Sequence, residues 1–76
     1  MIREHDRVVL KTPIASERLE AGDVGTVVHV YDDCRAYEVE FVGLDGHTAA
    51  VATVEASQLR PVMPNEIAHA RELVAA

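Results

Sequence analysis

Apolar and polar positions alternate most cleanly at Tyr37-Glu38-Val39-Glu40-Phe41, where Tyr, Val and Phe take one parity and the two glutamates the other. A period of two belongs to a strand with one buried and one wet face, so the pattern predicts a strand over Ala36–Val42. Shorter β-rich runs lie on either side. Residues 7–12 run up to Pro13, and residues 24–31 follow a Gly22-Asp23 turn. Residues 47–55 return after Gly43-Leu44-Asp45-Gly46, where Asp-Gly is a strong hairpin signal. Residues 59–62 form a short last strand, and Pro61, with no amide hydrogen to donate, belongs at a sheet edge. Asp32-Asp33-Cys34-Arg35 reads as a turn, and Ala56-Ser57-Gln58 as one turn of 3₁₀ helix. Ile14 and Leu19, the apolar residues of the polar segment 14–20, are expected to pack back onto the sheet. Gly22 suits a left-handed entry turn, and Gly25, inside a strand pattern, marks a bulge or sharp bend. The expected core is Val8, Leu10, Val28, Val30, Tyr37, Val39, Phe41 and Val54.

The period changes after Pro64. Asn65 is a good N-cap and Glu66 complements a helix N-terminus. Ile67, Ala70, Leu73 and Val74 then recur at helical spacing. The pattern predicts a short helix over residues 66–74, one too short to be stable alone. Five strands at intervals of roughly 8–12 residues, with a single-turn helix before the last, describe a mainly β fold. The architecture expected is a small five-stranded SH3-like barrel over residues 1–62, followed by a C-terminal helical tail over residues 63–76.

Composition narrows the function classes. Seventy-six residues make one domain, and a domain of that size buries only about 60% of its unfolded surface. The single cysteine rules out an internal disulfide. The formal charge of −6 opposes phosphate backbones and favours basic partners. No apolar run approaches the ~18 residues of a membrane span. The opening Met1-Ile2-Arg3-Glu4-His5-Asp6 lacks the apolar stretch of a signal peptide. With one free thiol, these features lead to the expectation of a cytoplasmic protein.

Several motifs together resemble a known family. They are His5-Asp6-Arg7-Val8-Val9-Leu10, Gly22-Asp23-Val24-Gly25-Thr26-Val27-Val28, Tyr37-Glu38-Val39-Glu40-Phe41, Val51-Ala52-Thr53-Val54-Glu55 and Leu59-Arg60-Pro61-Val62. The chain resembles, over residues 2–62, a small bacterial family of uncharacterised SH3-like domains grouped as a domain of unknown function. The Gly-Asp-Val-Gly-Thr-Val element alone is also similar to KOW-type and nitrile-hydratase β-subunit barrels. The resemblance implies a fold and a cytosolic, stand-alone or partner-bound protein, and brings no catalytic residues with it.

The residues themselves point to no chemistry. His5, His29, His47 and His69 fall on different elements at no ligand spacing, so no metal or other cofactor is expected. Glu38 and Glu40 are accounted for by alternation, Asp32 and Asp33 by a turn, and Cys34 as an incidental exposed thiol. The expectation is therefore a non-enzymatic protein-binding module that neutralises or regulates a partner protein through a basic surface on that partner. The alternatives are an accessory subunit or assembly factor of an enzyme, as the nitrile-hydratase likeness implies, and a KOW-like nucleic-acid binder. Candidate partner-binding residues are Met63, Ile67, Ala70, Leu73 and Val74. Their stripe either caps the barrel or docks on a partner or a second copy in a homodimer. Because charge opposes it, binding to mixed RNA or duplex DNA should be weaker than ~10⁻⁴ M at physiological salt. A polarisation assay showing micromolar binding at that salt would refute this.

Overall fold

The computed structural model describes residues 1–73. Five strands, β1 (Arg7–Leu10), β2 (Val24–Val30), β3 (Ala36–Val42), β4 (Thr48–Glu55) and β5 (Leu59–Pro61), form one sheet in the order β4-β3-β2-β1-β5. Every pairing is antiparallel. Single turns of 3₁₀ helix occur at Ala15–Glu17, Asp32–Cys34 and Ala56–Gln58. β3 spans the predicted residues, and the other strands stop one or two residues short of theirs. Pro61 lies on an edge strand, where its missing N–H costs no ladder bond.

One face of the sheet is the core. Tyr37, Val39 and Phe41 of β3 are buried there with Val8 and Leu10 of β1, Val27 of β2 and Ala50, Ala52 and Val54 of β4. Leu59 joins from β5, and Leu19 from the β1–β2 connection. Ile14 and Leu19 form an isolated bridge and both pack on this cluster, as their apolar character predicted.

Two expectations for β2 need correction, for one reason. The register against β3 shifts between Val27 and His29, so the bulge falls at Val28 and not at Gly25. The extra residue reverses the parity of everything after it. Val27, before the bulge, takes the core position on the same parity as Gly25; Val28, the extra residue, is 41% exposed; and Val30, beyond it, faces inward opposite Tyr37 and packs on the core as expected, though only partly buried. Gly25 serves a different purpose, which is close approach to β3. A Cβ there would lie 2.5 Å from Val39 Cγ1 and 3.0 Å from the Glu40 carbonyl oxygen. Gly22 does adopt the positive φ expected of it, at +96°.

The predicted helix over residues 66–74 is absent as far as Leu73; Val74 lies outside the described residues. Residues 62–73 contain no α-helix, only a turn at Pro64-Asn65 closed by Glu66 N–H donating to the Met63 carbonyl at 3.2 Å. A helix of that length gains little by itself, and Glu66, which would have complemented its N-terminus, is engaged instead by Arg60, as described below.

The packing sets two expectations for stability. Phe41→Ala should cost about 3–5 kcal/mol. Gly25→Ala should cost about 1–3 kcal/mol, because the buried Val39 side chain and the Glu40 carbonyl of β3 are in the way of its methyl group. Chemical denaturation of the two variants checks both, and an unchanged midpoint for either would contradict the packing described.

Candidate functional site

The outer face of the sheet carries the polar parity of each strand and one apolar row. Val9 of β1 pairs with Val24 of β2 on one side and with Arg60 of β5 on the other. Val9 is only 6% exposed, yet it stands outside the core cluster, since it points the opposite way from Val8 and Leu10. The C-terminal segment 62–73 and the β3–β4 turn border a groove of about 660 Å³ over this row. Val24, Val42, Leu44, Val62, Ile67 and Leu73 contribute its apolar surface, and all six are substantially exposed.

Two Arg–carboxylate forks hold the segment in place. In the first, Arg60 of β5 donates from Nη1 to Glu66 Oε1 at 2.8 Å and from Nη2 to Oε2 at 2.6 Å. Glu66 Oε1 also accepts the Met63 N–H at 2.7 Å. The Arg60 hydrogen bonds and this backbone donor hold the Glu66 carboxyl well below its ordinary 4.5, at about 2.

The second fork runs the other way, from the segment to the sheet. Arg71 donates from Nε to Asp23 Oδ1 at 2.8 Å and from Nη2 to Oδ2 at 2.5 Å. Nη2 also reaches the Arg18 carbonyl at 3.2 Å, and Nη1 stands 3.5 Å from the Glu20 carboxylate. This paired geometry is the strong form of charge-assisted bonding, and both side chains are less than a quarter exposed. Burial pushes the Asp23 carboxyl up, but hydrogen bonds from Arg71 and the Glu20 N–H outweigh it and hold the group below its ordinary value.

The local sequence explains the seat. Arg18 ends a 3₁₀ turn in left-handed conformation, with its N–H donating to the Ala15 carbonyl at 3.0 Å. Asp23 accepts the Glu20 N–H at 2.7 Å, in the manner of a short polar side chain closing its own turn. Its backbone is tied to β1, since the Leu10 N–H donates to the Asp23 carbonyl at 2.9 Å.

Of the residues singled out from the sequence, Ile67, Ala70 and Leu73 border the groove, along an irregular segment and not a helical stripe. Met63 is exposed and lies outside the groove lining, and Val74 lies outside the described residues. The histidines do not converge. His29 is 4.0 Å from Glu4 and His47 is 3.2 Å from Asp45, and among the described residues no three metal-ligating side chains gather. Glu38 accepts hydroxyls of Thr53 at 2.6 Å and Tyr31 at 3.1 Å, and Glu40 accepts Thr48 at 2.6 Å. These are cross-strand bonds on an outer sheet face. Cys34 is not the exposed thiol expected but is half-buried against the core. Among the described residues, no helix is long and apolar enough to cross a membrane.

The sequence reading missed Asp23, Arg60, Glu66 and Arg71 as a set. Asp23 and Arg71 stand 48 positions apart, so no local spacing connects them. The nearest signal was Arg71 itself, the one Lys or Arg after Arg60.

Comparison with known proteins agrees with the motifs along the strands. The chain belongs to the family described as a domain of unknown function, DUF4926, which it matches over residues 4–61. No curated protein and no solved structure matches it. The seat residues Arg18, Glu20 and Asp23 thus fall inside the family domain, and Glu66 and Arg71 beyond it.

The forks make attachment of the tail acid-sensitive. A carboxyl whose folded value lies below its unfolded one contributes fully above the unfolded value and loses that contribution as pH falls. For Glu66 the loss should run from about pH 4.5 down through about 2, and the depressed Asp23 carboxyl acts in the same direction. Amide resonances of residues 65–73 should therefore shift towards free-chain positions on acidification. Release on the alkaline side would contradict the assignment.

Proposed function

We propose that the chain is a non-enzymatic protein-binding module that regulates a partner protein, and that it acts through the groove between the outer sheet face and the C-terminal segment. The observation that carries the reading is the clustering of exposed apolar side chains around one concavity. Val24 from β2, Val42 and Leu44 from the end of β3 and the turn after it, and Val62, Ile67 and Leu73 from the C-terminal segment meet there. Exposed apolar surface rimmed by charge is characteristic of a docking site; the rim itself carries paired charges of both signs, and it is the net charge of −6 on the chain as a whole that favours a basic partner. The inward side chains of all five strands are buried, and among the described residues no α-helix covers them. That supports a sheet curled on itself as an SH3-like barrel. One cysteine and no long apolar helix among the described residues fit a cytoplasmic module.

Photo-crosslinkers placed at Val24 or Leu44 in cells of the source organism test this reading. Both positions should capture the same protein, a crosslinker at Ser57 in the distant 3₁₀ turn should not, and Leu44→Asp should abolish capture at Val24. Equal capture from Ser57, or capture indifferent to Leu44→Asp, would dismiss the groove as the working surface.

A further inference from the structure

The tail is attached in an unequal way. Asp23 is fixed from the sheet side by the Glu20 N–H and by its own carbonyl bond to Leu10, so the seat is built whether or not Arg71 is in it. Among the described residues, by contrast, residues 63–73 make no backbone–backbone hydrogen bond to the sheet. Their apolar side chains gain little burial, with Ile67 94% and Leu73 57% exposed. The tail is thus a strap pinned by two side-chain forks over an apolar row, and not an added layer of the fold.

We propose that Asp23, Glu20 and the Arg18 carbonyl form a guanidinium-binding subsite, occupied in cis by Arg71. An extended, arginine-bearing segment of a partner protein takes this seat by displacing the tail. The proposal rests on the protein-binding reading above and specifies the chemistry of the partner. The seat offers a planar carboxylate, with Oδ1 open and Oδ2 shared with the Glu20 N–H, a carbonyl and a second carboxylate, which match the donor fork of arginine better than the single point of lysine. The acidic chain favours the approach of such a segment. Val9 and Val24 lie beside the seat and would take the aliphatic neighbours of that arginine. The seat lies wholly within the family domain and its present occupant outside it.

Fluorescence polarisation with the full chain tests the proposal. The probes are a short labelled peptide with one arginine between aliphatic residues, and the same peptide with citrulline, a neutral isostere, in place of arginine. The proteins are the wild type, Arg71→Gln and the double variant Arg71→Gln/Asp23→Asn, each checked for folding by its amide spectrum. Emptying the seat removes a competitor held at high effective concentration. Arg71→Gln should therefore bind the arginine peptide about tenfold or more tightly than wild type, and about tenfold more tightly than it binds the citrulline peptide. Adding Asp23→Asn should remove that preference. Equal binding by wild type and Arg71→Gln, indifference to citrulline, or no binding by the folded variant would each overturn the proposal. So would an Arg71→Gln chain that cannot fold, because the tail would then be a structural member. A wild-type dimer lost in Arg71→Gln, with no peptide binding, would assign the seat to the tail of a second copy and overturn it too. Capture through Leu44 without any arginine preference would remove this seat and leave the binding-module reading standing.

Discussion

A five-stranded sheet of this size has an apolar face to hide, and among the described residues there is no α-helix to cover it. Everything else in the molecule follows from how that face is buried. Eleven side chains from the five strands and the β1–β2 connection form one cluster, and they can do so only if the strands approach closely and bend. Gly25 permits the approach, because any side chain there would strike β3. The bulge at Val28 provides local twist at the cost of one valine turned outward. Small domains have little burial to spare, and here a single residue of register decides which valine contributes to it.

Turning the core inward leaves the outer face to be managed, and the chain treats its two ends differently. Around β3 and β4 the glutamates are held by threonine and tyrosine hydroxyls, so the polar groups of that region are internally satisfied, with Val51 exposed beside them. Around β1, β2 and β5 the outward row begins with Val9 and Val24, and the C-terminal segment lies across it. The functional reading follows from that difference, since the groove forms where the outer face is apolar and its cover is held by ionic contacts at two points.

The sequence was most legible where a feature is local. Period-two alternation located β3, Asp-Gly marked the turn before β4, and Pro61 placed β5 at an edge, each through a mechanism confined to a few neighbouring residues. Legibility failed where the deciding contact lay far along the chain. The parity of Val27 and Val28 depends on the register of β2 against β3, and no pattern within β2 reveals it. The tail was misread for the same reason. Asn65 and Glu66 look like a helix start when considered alone, but Glu66 is engaged by Arg60 of β5 and Arg71 by Asp23, and an irregular path satisfies both. The site was the least legible part, because its key pair joins a turn near the beginning of the domain to a residue beyond its end.

The 48-residue separation of Arg71 and Asp23 also has a bearing on chain entropy. The sheet between them already holds β5 beside β1 and β1 beside β2, so the loop left for the clasp to close runs only from the end of β5 to Arg71. The entropy lost on closure rises with the length of free chain, so the fold turns a contact remote in sequence into a nearly local one, and a tail held by two side chains stays within reach of its seat without a layer of its own.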